Sequence, residues 1–181
     1  DRAIDTQAGT TTLKNCVIHG NRIGLFPHGG ALTAINSLIT GNTEAGVQFA
    51  TSAAVLRHCN VSGNVTNFQN HPDPTGSDGN VSVDPRYRDA GRDDFRLRFG
   101  SPVIDAADGA EAPVADRAGA PRYDDPRTAN TGTLSGNGAF ADLGAFELVE
   151  AANIASNLDL AVSEVSGPAG VLAGNAAALR W

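Results

Sequence analysis

Methionine is absent from the 181 residues, so Asp1 is not an initiator; the expectation is a processed chain or a piece of a longer one, with any signal peptide already gone. Long apolar runs are absent too, and nothing approaches the ~18 residues that a bilayer-spanning helix needs. Basic residues are scarce, 13 against 20 acidic, and a net charge of −7 argues against nucleic acid or an anionic lipid surface as partner. Arginine supplies all of the 13 but Lys14, which reads as codon bias. Aromatics are only 6 % of residues and the one tryptophan, Trp181, stands at the extreme end, which weakens a lectin reading. Two cysteines are too few to indicate a compartment. Acid is missing from one region: between Leu13 and Asn70 only Glu44 carries it, whereas 17 of the 20 carboxylates lie from Asp73 onward. The chain therefore has two parts with different surfaces.

What is present is a phrase that returns. "NCVIHGN" at 15–21, "NSLITGN" at 36–42 and "HCNVSGN" at 58–64 place Gly20, Gly41 and Gly63 at spacings of 21 and 22 residues, each followed by an asparagine. That period holds neither a leucine-rich pattern nor room for a helix between the glycines, which leaves strands. Ile18, Ile39 and Val61 are always apolar and β-branched, so this column faces inward. The neighbouring column of Val17, Leu38 and Asn60 admits an amide and is expected to face outward. By the same parity Cys16, Ser37 and Cys59 point inward. Glycine supplies the positive φ of a corner, and stacked Asn21, Asn42 and Asn64 can hydrogen-bond up the stack.

A coil of about 21–22 residues with short strands and Gly-Asn corners is a turn of an all-β, right-handed parallel β-helix, and three coils are expected within residues 1–79. The stretches "AGTTTL", "GGALTAI" and "SAAVLR" lead into each phrase as strands. A β-sandwich of repeated hairpins would need regular turn pairs, which are not found. Cys16 and Cys59 sit two coils apart, about 9.5 Å at ~4.8 Å per strand. A disulfide needs less than ~7 Å, so free buried thiols are expected.

From Gly79 the chain reads "GNVSVDPRYRDAGRDDFRLRFGSPVIDAADGA", then "ADRAGAPRY", then "ADLGAFE". The stretch resembles the C-terminal end of bacterial parallel β-helix proteins, including the choice-of-anchor Q family. Asp84, Pro85, Tyr87, Asp94, Phe95, Leu97, Ser101, Pro102, Asp105, Asp116, Arg122, Asp142, Gly144 and Glu147 stand at matching places. Ala107 and Ala118 depart from that pattern. The resemblance implies a terminal coil and cap over residues 80–150, secretion or surface display, and a bacterial source. Independently of it, Ser101 before Pro102 reads as the N-cap of a short helix. Asp84, Asp105 and Asp142 read as turn residues bonding local backbone amides, and the cap is expected to close the open end of the coils. Residues 151–181 alternate as two strands, the start of an Ig-like module or strands donated to a neighbour.

No cofactor is required by any of this. The loop "HPDPTGSDGN" clusters hard oxygen donors, making Asp73, Asp78 and Asn80 weak calcium candidates without EF-hand spacing. Enzymes of this fold need a carboxylate pair, or a carboxylate cage with a basic residue, on one face of several coils. The coils offer Glu44 alone, and His19, Thr40 and Ser62 follow the inward column without an acid beside them. His19, His28, His58 and His71 read as solvated surface residues, and no catalytic residue is assigned. The expected function is a non-catalytic structural or adhesive part of a secreted or surface-displayed protein, partnered by itself, as a filament, or by cell-surface polysaccharide. The alternative is the end of a polysaccharide lyase or glycoside hydrolase whose active coils lie upstream.

Overall fold

Residues that alternate an apolar β-branched side chain with a polar one pair best on a pleated, half-buried surface, and the repeated phrases do this in register. In the computed structural model, which describes residues 1–52, 54–70 and 72–149, three parallel sheets stack into about three coils of a parallel β-helix. The first sheet is built from β1 (Arg2–Thr6), β4 (Ile23–Pro27), β7 (Ala45–Gln48) and β10 (Thr66–Gln69). The second contains β2 (Thr10–Lys14), β5 (Ala31–Ile35) and β8 (Ala54–Arg57), and the third β3 (Val17–His19), β6 (Leu38–Thr40) and β9 (Asn60–Ser62). The described residues all fall in one unit, Asp1–Val149. The two strands expected in 151–181, and His71, lie outside the described residues.

Register follows the phrase. Ile18 pairs with Ile39 and Ile39 with Val61, and all three are buried with Leu25, Ala34, Val47 and Leu56 in the coil interior. The second sheet shows the same parity: Leu32 and Leu56 face in, while Val55 is 53 % exposed. Cys59 is fully buried and Cys16 half-buried, both as free thiols. Burial pushes the Cys59 thiol up to about 12, so it acts as a small hydrophobe.

Two side-chain ladders run along the coils. At one corner Asn42 Oδ1 accepts the Asn21 N–H at 3.0 Å and Asn64 Oδ1 accepts the Asn42 N–H at 2.9 Å. Asn67 ends this ladder by offering Oδ1 to Asn64 Nδ2 at 3.1 Å. At the corner before the third sheet, Asn15, Asn36 and His58 adopt φ of 46°, 53° and 45°, a left-handed bend that Asn and His tolerate better than most side chains. Asn36 Nδ2 donates to Asn15 Oδ1 at 3.2 Å.

The cap departs from expectation in its placement. Residues 78–83 do run beneath the third coil, where Val81 bridges Asn60 and Asn80 Oδ1 accepts the Cys59 N–H at 3.0 Å. Most of the remainder covers the flank. Leu38, on the outward column, is completely buried against Leu97, Val103, Ile104, Ala141 and Leu143. An apolar outward column leaves a sheet face that water disfavours, and the cap removes it from solvent. The Asn15 column pins the cap there: Asn15 Nδ2 donates to the Asp142 carbonyl at 3.1 Å, and Asn36 exchanges two bonds with the Asp108 backbone at 2.7 and 2.9 Å. His58 donates from Nδ1 to the Ala106 carbonyl at 3.0 Å, so it is a cap contact and not a solvated surface residue.

Candidate functional site

Over the third sheet lies a hairpin of β11 (Tyr87–Asp89) and β12 (Asp94–Leu97), joined through a 3₁₀ turn at Ala90–Arg92. Its alternation turns Tyr87 and Phe95 toward the coils. Tyr87 meets Phe95 edge-on at 5.3 Å between ring centroids, and both rings meet His19, at 6.0 and 5.1 Å. His19 is therefore half-buried beneath aromatic rings, a correction to its reading as a solvated residue. Burial pulls its imidazole below the usual range, with Asp93 opposing, so the ring is neutral near pH 7. His19 Nδ1 lies 3.0 Å from Thr40 Oγ1, which lies 3.1 Å from Tyr87 Oη. Burial raises the Tyr87 phenol, which stays protonated.

This relay forms one wall of a groove of ≈ 450 Å3 that steps along the coils past Thr40, Ser62 and Ser82 to Asp84. Its polar groups are largely engaged: Ser62 Oγ donates to the Val83 carbonyl at 2.6 Å, and Asp84 Oδ1 accepts the Arg86 N–H at 2.9 Å. Asp84 is the sole carboxylate among the described lining residues. The acids on the coil strands and corners lie elsewhere: Glu44 is ion-paired with Arg22, and Asp5, on β1, with Arg2 at 2.9 Å. A second cavity of ≈ 670 Å3 lies where Lys14–Val17 face Phe95, Arg117 and Phe146.

The cap's carboxylates converge elsewhere. Asp116 Oδ2 accepts the Glu147 N–H at 2.9 Å; Glu147 accepts the Tyr123 N–H at 3.0 Å and the Arg122 guanidinium at 2.7 Å. Asp142 accepts the Asp105 N–H at 2.9 Å and the Leu148 N–H at 2.6 Å, and Asp105 Oδ2 accepts the Asp125 N–H at 3.2 Å. Each carboxylate ties down an amide belonging to the next segment. Burial, reinforced by the Glu147 charge, raises Asp142 well above the ordinary carboxylate range. Burial also raises Glu147, offset by the Tyr123 amide and by Arg122.

Of the residues expected to form sites, Asn21, Asn42 and Asn64 come together in their ladder, and Asp105 and Asp142 meet directly. Two local readings are corrected. Ser101 caps no helix: residues 102–105 form turns, and Ser101 Oγ donates to the Pro85 carbonyl at 2.7 Å. Asp105 and Asp142 bond amides up to 37 residues away and not only their own turns, because buried chain crossings leave N–H groups that need acceptors. Asp84 does bond locally. In the loop, Asp73 caps the Thr75 N–H at 2.8 Å and the Asp78 carbonyl accepts the His58 N–H at 2.8 Å. The Asn80 amide is spent on Cys59 and on the Leu56 carbonyl, so the structure does not gather the three around a common point. Among the described residues no group of three or more His, Cys, Asp or Glu is placed to hold a metal ion. The His19–Thr40–Tyr87 relay and the Arg122–Glu147 pair were not foreseen; the "DPRY" and "DFRL" runs, a hairpin's two arms, were the signal for the first.

No family model matches the chain, and no match to it was found among curated proteins or solved structures. Fold and geometry alone define it as a parallel β-helix with a flank-bound cap.

Proposed function

We propose that the chain is a non-catalytic structural or adhesive part of a secreted or surface-displayed bacterial protein. The observation that supports this is the use of the cap's acids. Asp105, Asp116, Asp142 and Glu147 are each committed to backbone amides or a guanidinium, and the groove on the coils holds Asp84 alone, without the second carboxylate that glycoside hydrolysis requires. Carboxylates so engaged fasten segments together. The resemblance of residues 79–147 to surface β-helix proteins supports the location. Cell-surface polysaccharide is the proposed external partner, taken along the groove beneath Tyr87, where Thr40 and Ser62 stand one coil apart.

Self-association belongs to the same proposal. β1 and β10 are edge strands of one sheet, and an unpaired strand edge is a template for another chain. Head-to-tail coils, or strands donated by residues 151–181, would use such edges and need not close into a ring. The enzymatic part is tested by incubating the chain with pectin, alginate and bacterial polysaccharides. We expect no reducing or unsaturated ends; their release, lost in Glu44→Gln or Asp84→Asn, would favour the end of a lyase or hydrolase instead. Light scattering of a chain ending at Glu150 tests donation: a smaller species supports it, and an unchanged size removes the tail from the assembly.

A further inference from the structure

The segment 123–132 is held on the cap at its start by Glu147, which accepts the Tyr123 N–H at 3.0 Å, and beyond that chiefly by Asp105. Asp105, at φ 53°, accepts the Thr131 and Gly132 N–H groups on its carbonyl, at 3.1 and 2.8 Å, and the Asp125 N–H on its side-chain Oδ2. Its other carboxylate oxygen, Oδ1, is buried and meets no donor of the protein, and the residue as a whole has no exposed surface. Charged groups surround it unevenly. Asp124, Asp125, Asp142 and Glu147 bring carboxylates, while Arg122 is engaged by Glu147 and Arg127 by Asp125. From the coils the approaching group is the neutral amide of Asn15, on the Asp142 carbonyl.

We propose that Asp105 is a proton-operated clasp: its neutral carboxyl holds segment 123–132 on the cap, and ionisation of that carboxyl loosens the segment. Neutral Asp105 still accepts the Asp125 N–H through Oδ2 and places no charge on an oxygen that lacks a donor. Loss of the proton to bulk water strengthens that single bond. It also leaves Oδ1 charged, buried without a protein donor and beside four other carboxylates, a cost that outweighs one stronger hydrogen bond. Lifting the segment lets water reach Oδ1. Burial first, then the Asp124 charge, pushes the Asp105 carboxyl up to about 7, so the hold weakens progressively as pH rises from 3.8 and the change is complete near neutral pH.

The test is hydrogen exchange on the full chain between pH ~4 and ~8.5, corrected for intrinsic exchange. The amides of Asp125, Thr131 and Gly132 are expected to lose protection as pH rises from ~4 to ~7, by up to ~tenfold per pH unit, and to level off above that, while Ile18, Ile39 and Val61 in the coils keep theirs. Asp105→Asn mimics the neutral acid and should make protection at the three amides independent of pH. Identical pH profiles in the parent and Asp105→Asn, or no loss at all, would overturn the clasp. If Asp105→Asn does not fold, carboxyl carbon NMR of the parent decides: an Asp105 resonance titrating near pH ~7, where the loss of protection levels off, supports the proposal, and one titrating below pH 5 removes it. Millimolar calcium at pH 8.5 should restore nothing; restored protection would make the site a cation site and overturn proton control.

Discussion

The side-chain oxygen of Asn42 accepts the backbone N–H of Asn21, 21 residues earlier, at 3.0 Å. Asn42 is 1 % exposed and also donates Nδ2 to Asn64 Oδ1 at 2.8 Å, so it is the middle rung that both neighbouring coils depend on. Asn42→Ala removes an acceptor and a donor from a buried corner and is expected to cost about 1–3 kcal/mol. Asn21→Ala, at the partly exposed end of the ladder, should cost less. Urea denaturation of the two variants checks the order.

Gly41 and Gly63 share the same corner with φ of 63° and 64°, yet differ in surroundings. A Cβ at Gly41 would stand 2.4 Å from His19 Cε1, whereas nothing lies within 4 Å of one at Gly63. Gly63→Ala should therefore cost only the left-handed strain, about 1–2 kcal/mol. Gly41→Ala should cost more, and it should shift the His19 ring away from Tyr87. Thermal melts with proton NMR of the His19 ring read both effects.

Arg122 and Glu147 form an ion pair at 2.7 Å whose side chains are 2 % and 0 % exposed. Removing one partner strands a buried charge, so Arg122→Ala should cost about 3–5 kcal/mol. Adding Glu147→Gln to Arg122→Ala removes that charge and keeps an acceptor for the Tyr123 N–H, so the double variant is expected to regain part of the loss. A double variant no more stable than Arg122→Ala would show that the pair's charge is not the source of the cost.

Stability should peak in mildly acidic solution. An acid whose folded value is raised, such as Asp105 at about 7 against 3.8, takes up a proton on folding. Its contribution is complete below pH 3.8 and is lost as pH rises through 7; Asp142, also raised, acts in the same sense. Asp125 is held below the ordinary range chiefly by Arg127 and acts oppositely, its contribution fading as pH falls beneath 3.8. Melting temperature is thus expected to crest near pH ~4, where both contributions are nearly complete. Asp105→Asn should flatten the alkaline limb and leave the acid limb in place.

The coils were legible because their information is local and repeated. A β-branched residue every 21 or 22 positions, a glycine that permits the corner and an asparagine that can bond its own copy each specify the same register. Ile18, Ile39 and Val61 accordingly face in. The cap's carboxylates were legible as structural residues but not in their partners, since Asp142 serves an amide 37 residues away and Glu147 a guanidinium 25 residues away. Ser101 before Pro102 carries a helix signal, and its hydroxyl does accept the Val103 N–H at 3.4 Å while donating to the Pro85 carbonyl, but residues 102–105 form turns and no helix.

The sequence by itself determined the period, the inward column and the Asn21–Asn42–Asn64 corner, because strand parity and coil register follow from neighbours along the chain. Only the tertiary structure decided that Leu38 is buried and that His19 lies beneath Tyr87 and Phe95. It alone also left Asp105 with an oxygen that meets no donor. Those outcomes depend on where a segment some 40 to 100 residues away comes to rest, and the free energy that places it there is summed over a whole apolar face and belongs to no single motif.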